Sequence, residues 1–140
     1  MSGFFLGYAF FALVTRLGLM GYAERFGRVR VSGLCILLYA LGIAATAFLR
    51  PGMLEVVGAM LGTAQGIFYP VFNAVVVEQV PGEQRGSMMA LYHGGFNAGT
   101  ALAMLCGGAF AEAYGYPALF LGMGAVTASA GVYLLSTQRF

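Results

Sequence analysis

The chain has 140 residues, 60% hydrophobic and 9% charged, where an average soluble domain is about 25% charged. So little charge could not cover a water-exposed surface, which excludes a soluble domain and leaves an integral membrane protein in contact with lipid. The seven basic residues are all arginine, the five acidic ones all glutamate, and the net charge is +2; the net charge is concentrated in loops, so it reports topology and does not build a nucleic-acid surface.

Five apolar stretches follow one another, at about 4–22, 31–49, 54–77, 87–111 and 118–135, within one partial domain that fills residues 1–140. A bilayer core needs about 20 apolar residues per helix, so each stretch is long enough to span. The runs are continuous and do not alternate, which argues for helices, and in lipid only helices or closed barrels satisfy the backbone. The predicted fold class is therefore all-α integral membrane, with five transmembrane helices. The connecting loops are short, so consecutive helices are expected to be antiparallel neighbours.

The first stretch carries Phe4, Phe5, Tyr8, Phe10 and Phe11 near its start, an aromatic group that suits an interface belt or lipid contact at least as well as a substrate cage. It also carries Arg16. An arginine at mid-membrane costs ~3 kcal/mol, and two readings stay open. It snorkels to the interface, or it faces the bundle interior and pairs with a carboxylate or an anionic substrate, Glu78 being the one acid near its depth. Cys35 in the second stretch and Cys106 in the fourth read as small packing residues.

The third stretch holds Gly58, Gly62 and Gly66, the fourth Gly95, Gly99, Ala103 and Gly107, each set four residues apart. Such stripes let helix backbones approach closely. Gln65, Tyr69 and Asn73 repeat at the same interval and share one face of the third helix, which Pro70 interrupts. A polar stripe on an apolar helix avoids lipid and faces a cavity or another helix. His93 and Asn97 form a second polar pair on the fourth helix. His93 is the single histidine and suits proton coupling or an interhelical hydrogen bond.

Arg25, Arg28, Arg30, Arg85 and Arg139 fall on one side when loops are numbered alternately, and Arg50 alone on the other. The positive-inside rule makes the first side cytoplasmic, puts the N-terminus outside and the C-terminus inside. Five spans entering from outside with no cleavable signal suggest a fragment. Glu24, Arg25, Arg28, Glu78 and Arg85 are expected to gather into a cytoplasmic charge cluster. The chain has neither a phosphate-binding glycine loop followed by Lys nor paired His or Cys at metal spacing, so no cofactor, metal or enzyme chemistry is expected.

Ala23, Glu24, Arg25, Gly27, Arg28 and Arg30 resemble the loop signature of the major facilitator superfamily, Gly-x-Leu-Ala-Asp-Arg-x-Gly-Arg-Arg. Glu24 stands for the usual Asp, Met20 for the first Gly and Tyr22 for the Leu. Gly62, Gln65, Gly66, Tyr69 and Pro70, with Pro81, Arg85 and Gly86 beyond, resemble the family's fourth or tenth helix and its exit loop. Gly107, Gly108, Gly115, Pro117 and Phe120 resemble the passage between its last two helices of a half. The usual arginine near Met60 of the first half is absent, which favours the C-terminal half, helices eight to twelve, with the seventh missing. The resemblance implies part of a secondary transporter that moves a small molecule by alternating access, with proton-coupled efflux the commonest pattern among relatives. It implies Gln65, Tyr69, Asn73, His93 and Asn97 as substrate contacts, and a gate built of Arg16, Glu24, Arg25, Gly27, Arg28, Glu78 and Arg85. The implied partners are membrane lipid, a small-molecule substrate and the missing N-terminal half, in a membrane of the bacterial inner (plasma) type. The rival reading is a non-transporting helix module that packs with partner helices.

Overall fold

The computed structural model describes residues 2–18, 25–50 and 52–137. Glu24, with residues 19–23, and the terminal Arg139 lie outside the described residues. The described chain is all-helical: α1 (Ser2–Gly18), α2 (Arg28–Thr46), α3 (Leu54–Glu78), a 3-10 turn at Gly82–Gln84, α4 (Arg85–Tyr114) and α5 (Tyr116–Ser136). Among these, α2, α3 and α5 are long and apolar enough to cross a membrane, with mean hydropathies of 1.8, 1.4 and 1.8. The longest helix is α4, with 30 residues, about 45 Å at 1.5 Å per residue. Gly115, at φ +83°, breaks the chain between α4 and α5, and Pro117 in the first turn of α5 suits a helix start.

The interior is small and the exterior large. Fully or nearly buried positions include Ser32, Cys35, Ala40, Val57 and Ala64, whereas Leu6, Leu17, Met104 and Leu105 are each at least 70% exposed. Water would not tolerate that surface. Lipid does, because it offers no hydrophobic drive for helices to associate, and close packing of small residues has to hold them instead.

The α1–α3 contact shows how. A methyl group built on Gly58 would stand 2.6 Å from the Phe4 carbonyl oxygen, and one on Gly66 2.6 Å from that of Ala12. Between them, one on Gly62 would run into the Tyr8 carbonyl. Gly7 returns the contact, 3.2 Å by the same measure from the Glu55 carbonyl. Residues 4, 8 and 12 advance with 58, 62 and 66, so α1 and α3 run parallel. Two expectations are corrected here. The main neighbour of α1 is α3, with α2 on the far side of α3 and α5 packed on α2. Parallel packing of alternate helices wins because the glycine stripe faces α1.

The second stripe behaves differently. Methyl groups at Gly95 and Gly99 would meet nothing within 4 Å among the described residues, and one at Gly107 only Leu119, at 3.9 Å. Close approach of a helix to this face of α4 does not occur within the described chain. Only lighter contacts tie α4 to α3 and α5, among them Tyr69 against Phe96 and Phe72 against Tyr92, with ring centres 5.9 and 5.4 Å apart.

Candidate functional site

Between α1 and α3, beside the glycine contacts, the helices border an open hollow of about 370 Å³. Its α1 wall is Tyr8, Ala12 and Arg16, four residues apart and so on one face. Its α3 wall is Gln65, Gly66 and Tyr69. Ala9 and Leu13 complete the α1 side, and the close Ala12–Gly66 contact forms part of the lining. The Tyr8 hydroxyl donates to Gln65 Oε1, which leaves the Gln65 amide N–H groups as donors to anything that enters.

Arg16 is exposed at this hollow and has no carboxylate partner among the described residues. The parallel register explains why. Ala12 lies level with Gly66, so Arg16 lies level with Pro70 and eight residues short of Glu78, about 12 Å along the axis. The expected Arg16–Glu78 proximity is thereby corrected: Glu78 reaches Arg28 instead.

A second hollow, about 210 Å³, lies between α2, α3, α4 and α5. Gln65 and Tyr69 border it too, so these two side chains form a wall common to both spaces. Its remaining surface is mainly apolar, with Ile36, Tyr39, Phe68 and Phe96 prominent, and Cys35 and Thr127 also present.

Of the other residues singled out by sequence, Asn73 is half-buried one turn beyond Tyr69, with Oδ1 buried and lacking a hydrogen-bond partner. It borders neither hollow. His93 and Asn97 lie on exposed parts of α4, His93 beside the Tyr92 ring at 5.0 Å. Phe96, not Asn97, is the α4 residue that meets Tyr69. Tyr8, Tyr39 and Phe96 were missed as site residues because an aromatic residue in an apolar helix carries no distinguishing signal. For Tyr8, its level with Gly62 across a glycine stripe is the one clue available.

At the charged end, Gly27 (φ +89°) turns the chain into α2. There the Arg28 guanidinium forms an ion pair with Glu78 at the end of α3. Their side chains are 29% and 60% exposed, so solvent screens the pair. Arg85 Nε donates to the Val80 carbonyl at 3.3 Å, and Arg25 is exposed. No group of three or more His, Cys, Asp or Glu able to hold a metal occurs among the described residues.

Lipid-facing helices, small-residue packing and an open hollow beside an arginine with no carboxylate partner among the described residues define a polytopic membrane protein with a polar group between its helices. The profile of the Major Facilitator Superfamily matches residues 1–139, and the chain belongs to that family of membrane transporters. It is 27% identical over 139 residues to "Probable anion transporter 1, chloroplastic" of Oryza sativa subsp. japonica, covering 97% of this chain and 25% of that protein. It is 27% identical over 128 residues to "Sodium-dependent phosphate transport protein 1, chloroplastic" of Arabidopsis thaliana, covering 89% of this chain and 24% of that one. To "Probable anion transporter 5" of Arabidopsis thaliana it is 29% identical over 127 residues, 86% and 28% of the two chains. The chain thus spans about a quarter of the length of these relatives. No solved structure matches it.

Proposed function

We propose that this chain is part of a secondary transporter that carries a small anion across a membrane by alternating access. The observation that carries the reading is Arg16, a cation about two helical turns along the axis from the Arg28–Glu78 pair, bordering the hollow and without a carboxylate partner among the described residues. A charge at that depth costs ~3 kcal/mol, and an anionic substrate is what would offset it. The names of the relatives, anion and phosphate transporters, support the same class. Gln65 and Tyr69 contact the substrate. Asn73, His93 and Asn97 serve on the same path once other helices close around α4, and His93 is the group suited to proton coupling. The Arg28–Glu78 pair, with Glu24, Arg25, Gly27 and Arg85 around it, latches the cytoplasmic end in one state and opens in the other. The N-terminus faces outward. The relatives' names give no support to the bacterial inner membrane inferred from sequence.

The missing half of the transporter is the proposed partner, and the open stripe at Gly95 and Gly99 is the face it would cover. The same open stripe favours a second reading, a helix module that packs with partners and transports nothing. Proteoliposomes holding the chain separate the two. On the transporter reading, an inward gradient of radiolabelled anion drives uptake when the partner half is co-reconstituted, and Arg16→Gln removes that uptake. Uptake indifferent to Arg16→Gln would overturn the anion site. Flux absent with every partner half supplied would leave the packing module.

A further inference from the structure

We infer that the preferred ligand is an amphipathic organic anion, a single carboxylate on a flat apolar ring, held with its head at Arg16 and its body in the hollow behind Tyr69. This deepens the proposed function and rests on the reading of Arg16 as an anion contact.

The argument is the pairing of two unlike spaces across one wall. On the Arg16 side, the donors are the guanidinium, the Gln65 amide, whose oxygen is already engaged by Tyr8, and the Tyr69 hydroxyl. A carboxylate accepts from such a set through its planar pair of oxygens. Inorganic phosphate would pair with the same donors but is strongly hydrated and has no apolar body to place in the space across the wall. Across the wall, a hollow of about 210 Å³ is bordered by Phe68, Phe96, Tyr39 and Ile36. An apolar cavity of about 150 Å³ is enough to take benzene, so a six-membered ring fits.

One side of the wall rests on the most lightly packed helix. Tyr69 rests edge-on against Phe96, with ring planes 71° apart, and Phe96 belongs to α4, the helix most lightly held in the described chain. Swinging Tyr69 off Phe96 joins the spaces, with Gln65 left at the junction to hold the carboxylate. Ligand binding of this kind, apolar over most of the surface with a few polar groups fixing orientation, is the usual economy of small-molecule sites.

The test is equilibrium binding to the chain in nanodiscs, with benzoate, acetate, inorganic phosphate and benzyl alcohol as probes. Benzoate is expected to bind at least tenfold tighter than acetate, phosphate or benzyl alcohol. Arg16→Gln should bring benzoate down to the level of benzyl alcohol, and Phe96→Ala should bring it down to the level of acetate. A second measurement needs no change in the site. In a Cys106→Ser background, Cys35, which borders the inner hollow, should react several-fold more slowly with methyl methanethiosulfonate when benzoate is present. Phosphate or acetate binding as tightly as benzoate would overturn the ring pocket while leaving an anion transporter standing. Benzyl alcohol binding as tightly as benzoate, with Arg16→Gln silent, would overturn both. Unchanged Cys35 reactivity under saturating benzoate would remove the ring from the inner hollow.

Discussion

Gly62→Ala is the sharpest probe of the packing on which the site stands. Its added methyl would meet the Tyr8 carbonyl more closely than any real side chain approaches backbone, and the flanking positions are tight as well, at 2.6 Å for Gly58 and Gly66. Restoring even the 3.4 Å lower bound of ordinary contact from 2.6 Å moves α1 about 0.8 Å away from α3, and at Gly62 the shift is larger. Backbone cannot yield as a flexible side chain can, so the helices separate as bodies. Overpacking of this kind costs about 1–3 kcal/mol. Losing the Tyr8–Gln65 hydrogen bond adds about 0.5–1.5 kcal/mol. The expected destabilisation is roughly 2–4 kcal/mol. The assay is unfolding in mixed detergent and dodecyl sulfate micelles, followed by pulse labelling of Cys35, which is 6% exposed in the folded chain. Gly95→Ala is the control. Its methyl meets nothing within 4 Å among the described residues, and replacing an interior helix glycine by alanine gains up to about 1 kcal/mol. Equal midpoints for Gly62→Ala, Gly95→Ala and the unaltered chain would refute the glycine-mediated α1–α3 contact.

Arg16→Gln is expected to leave the unfolding midpoint unchanged or raise it, since a membrane-embedded cation without a partner is a liability of ~3 kcal/mol; a drop of more than 1 kcal/mol would mean that Arg16 is structural. A double-mutant cycle on Arg28→Ala and Glu78→Ala should give a coupling of about 0.2–1 kcal/mol, because both groups are part-exposed. A coupling above about 3 kcal/mol would place the pair in a buried setting instead. An Arg25→Cys variant in the Cys35→Ala, Cys106→Ser background should label with an impermeant maleimide only after the cytoplasmic face is opened. Labelling on intact cells would invert the topology.

The all-helical membrane architecture was legible in the sequence because composition and unbroken apolar runs report it directly. Gly58, Gly62 and Gly66 were legible as a packing face because an interval of four is a property of one helix. The mate of that face was not. A stripe tells which side of α3 is flat, and nothing in it names α1 over α2; the parallel register is decided by where Gly7 and the Tyr8 and Ala12 carbonyls come to lie. The same limit acted on Arg16. Its place toward the end of the first apolar run was readable from its own helix, but its separation from Glu78 depends on how α1 and α3 are staggered. Gln65 and Tyr69 stood out as polar groups on an apolar helix, whereas Phe96 and Tyr39 line the inner hollow with side chains that membrane helices carry everywhere.

The uneven packing has a mechanical meaning. Backbone contact along Gly58, Gly62 and Gly66 makes α1 and α3 one stiff unit, because neither helix can rotate without driving a Cα into a carbonyl. The α2–α5 contact shares this in part: Gly124 of α5 faces the Ala40 carbonyl of α2, whereas Gly131 faces the side chains of Ile36 and Leu37. By contrast, α4 touches α3 through aromatic edges, Tyr69 on Phe96 and Phe72 on Tyr92, which can slide at little cost and re-form. Interfaces of packed small residues are bistable and resist continuous deformation, while loosely held elements absorb motion. The two hollows lie on either side of Gln65 and Tyr69, the Arg16 hollow within the α1–α3 unit and the inner one bordered by Phe96 of the movable helix. A displacement of α4 therefore acts first on Tyr69, the one side chain that both borders the Arg16 hollow and rests on α4. On this geometry, a shift of α4 opens the inner space toward the hollow that Arg16 borders.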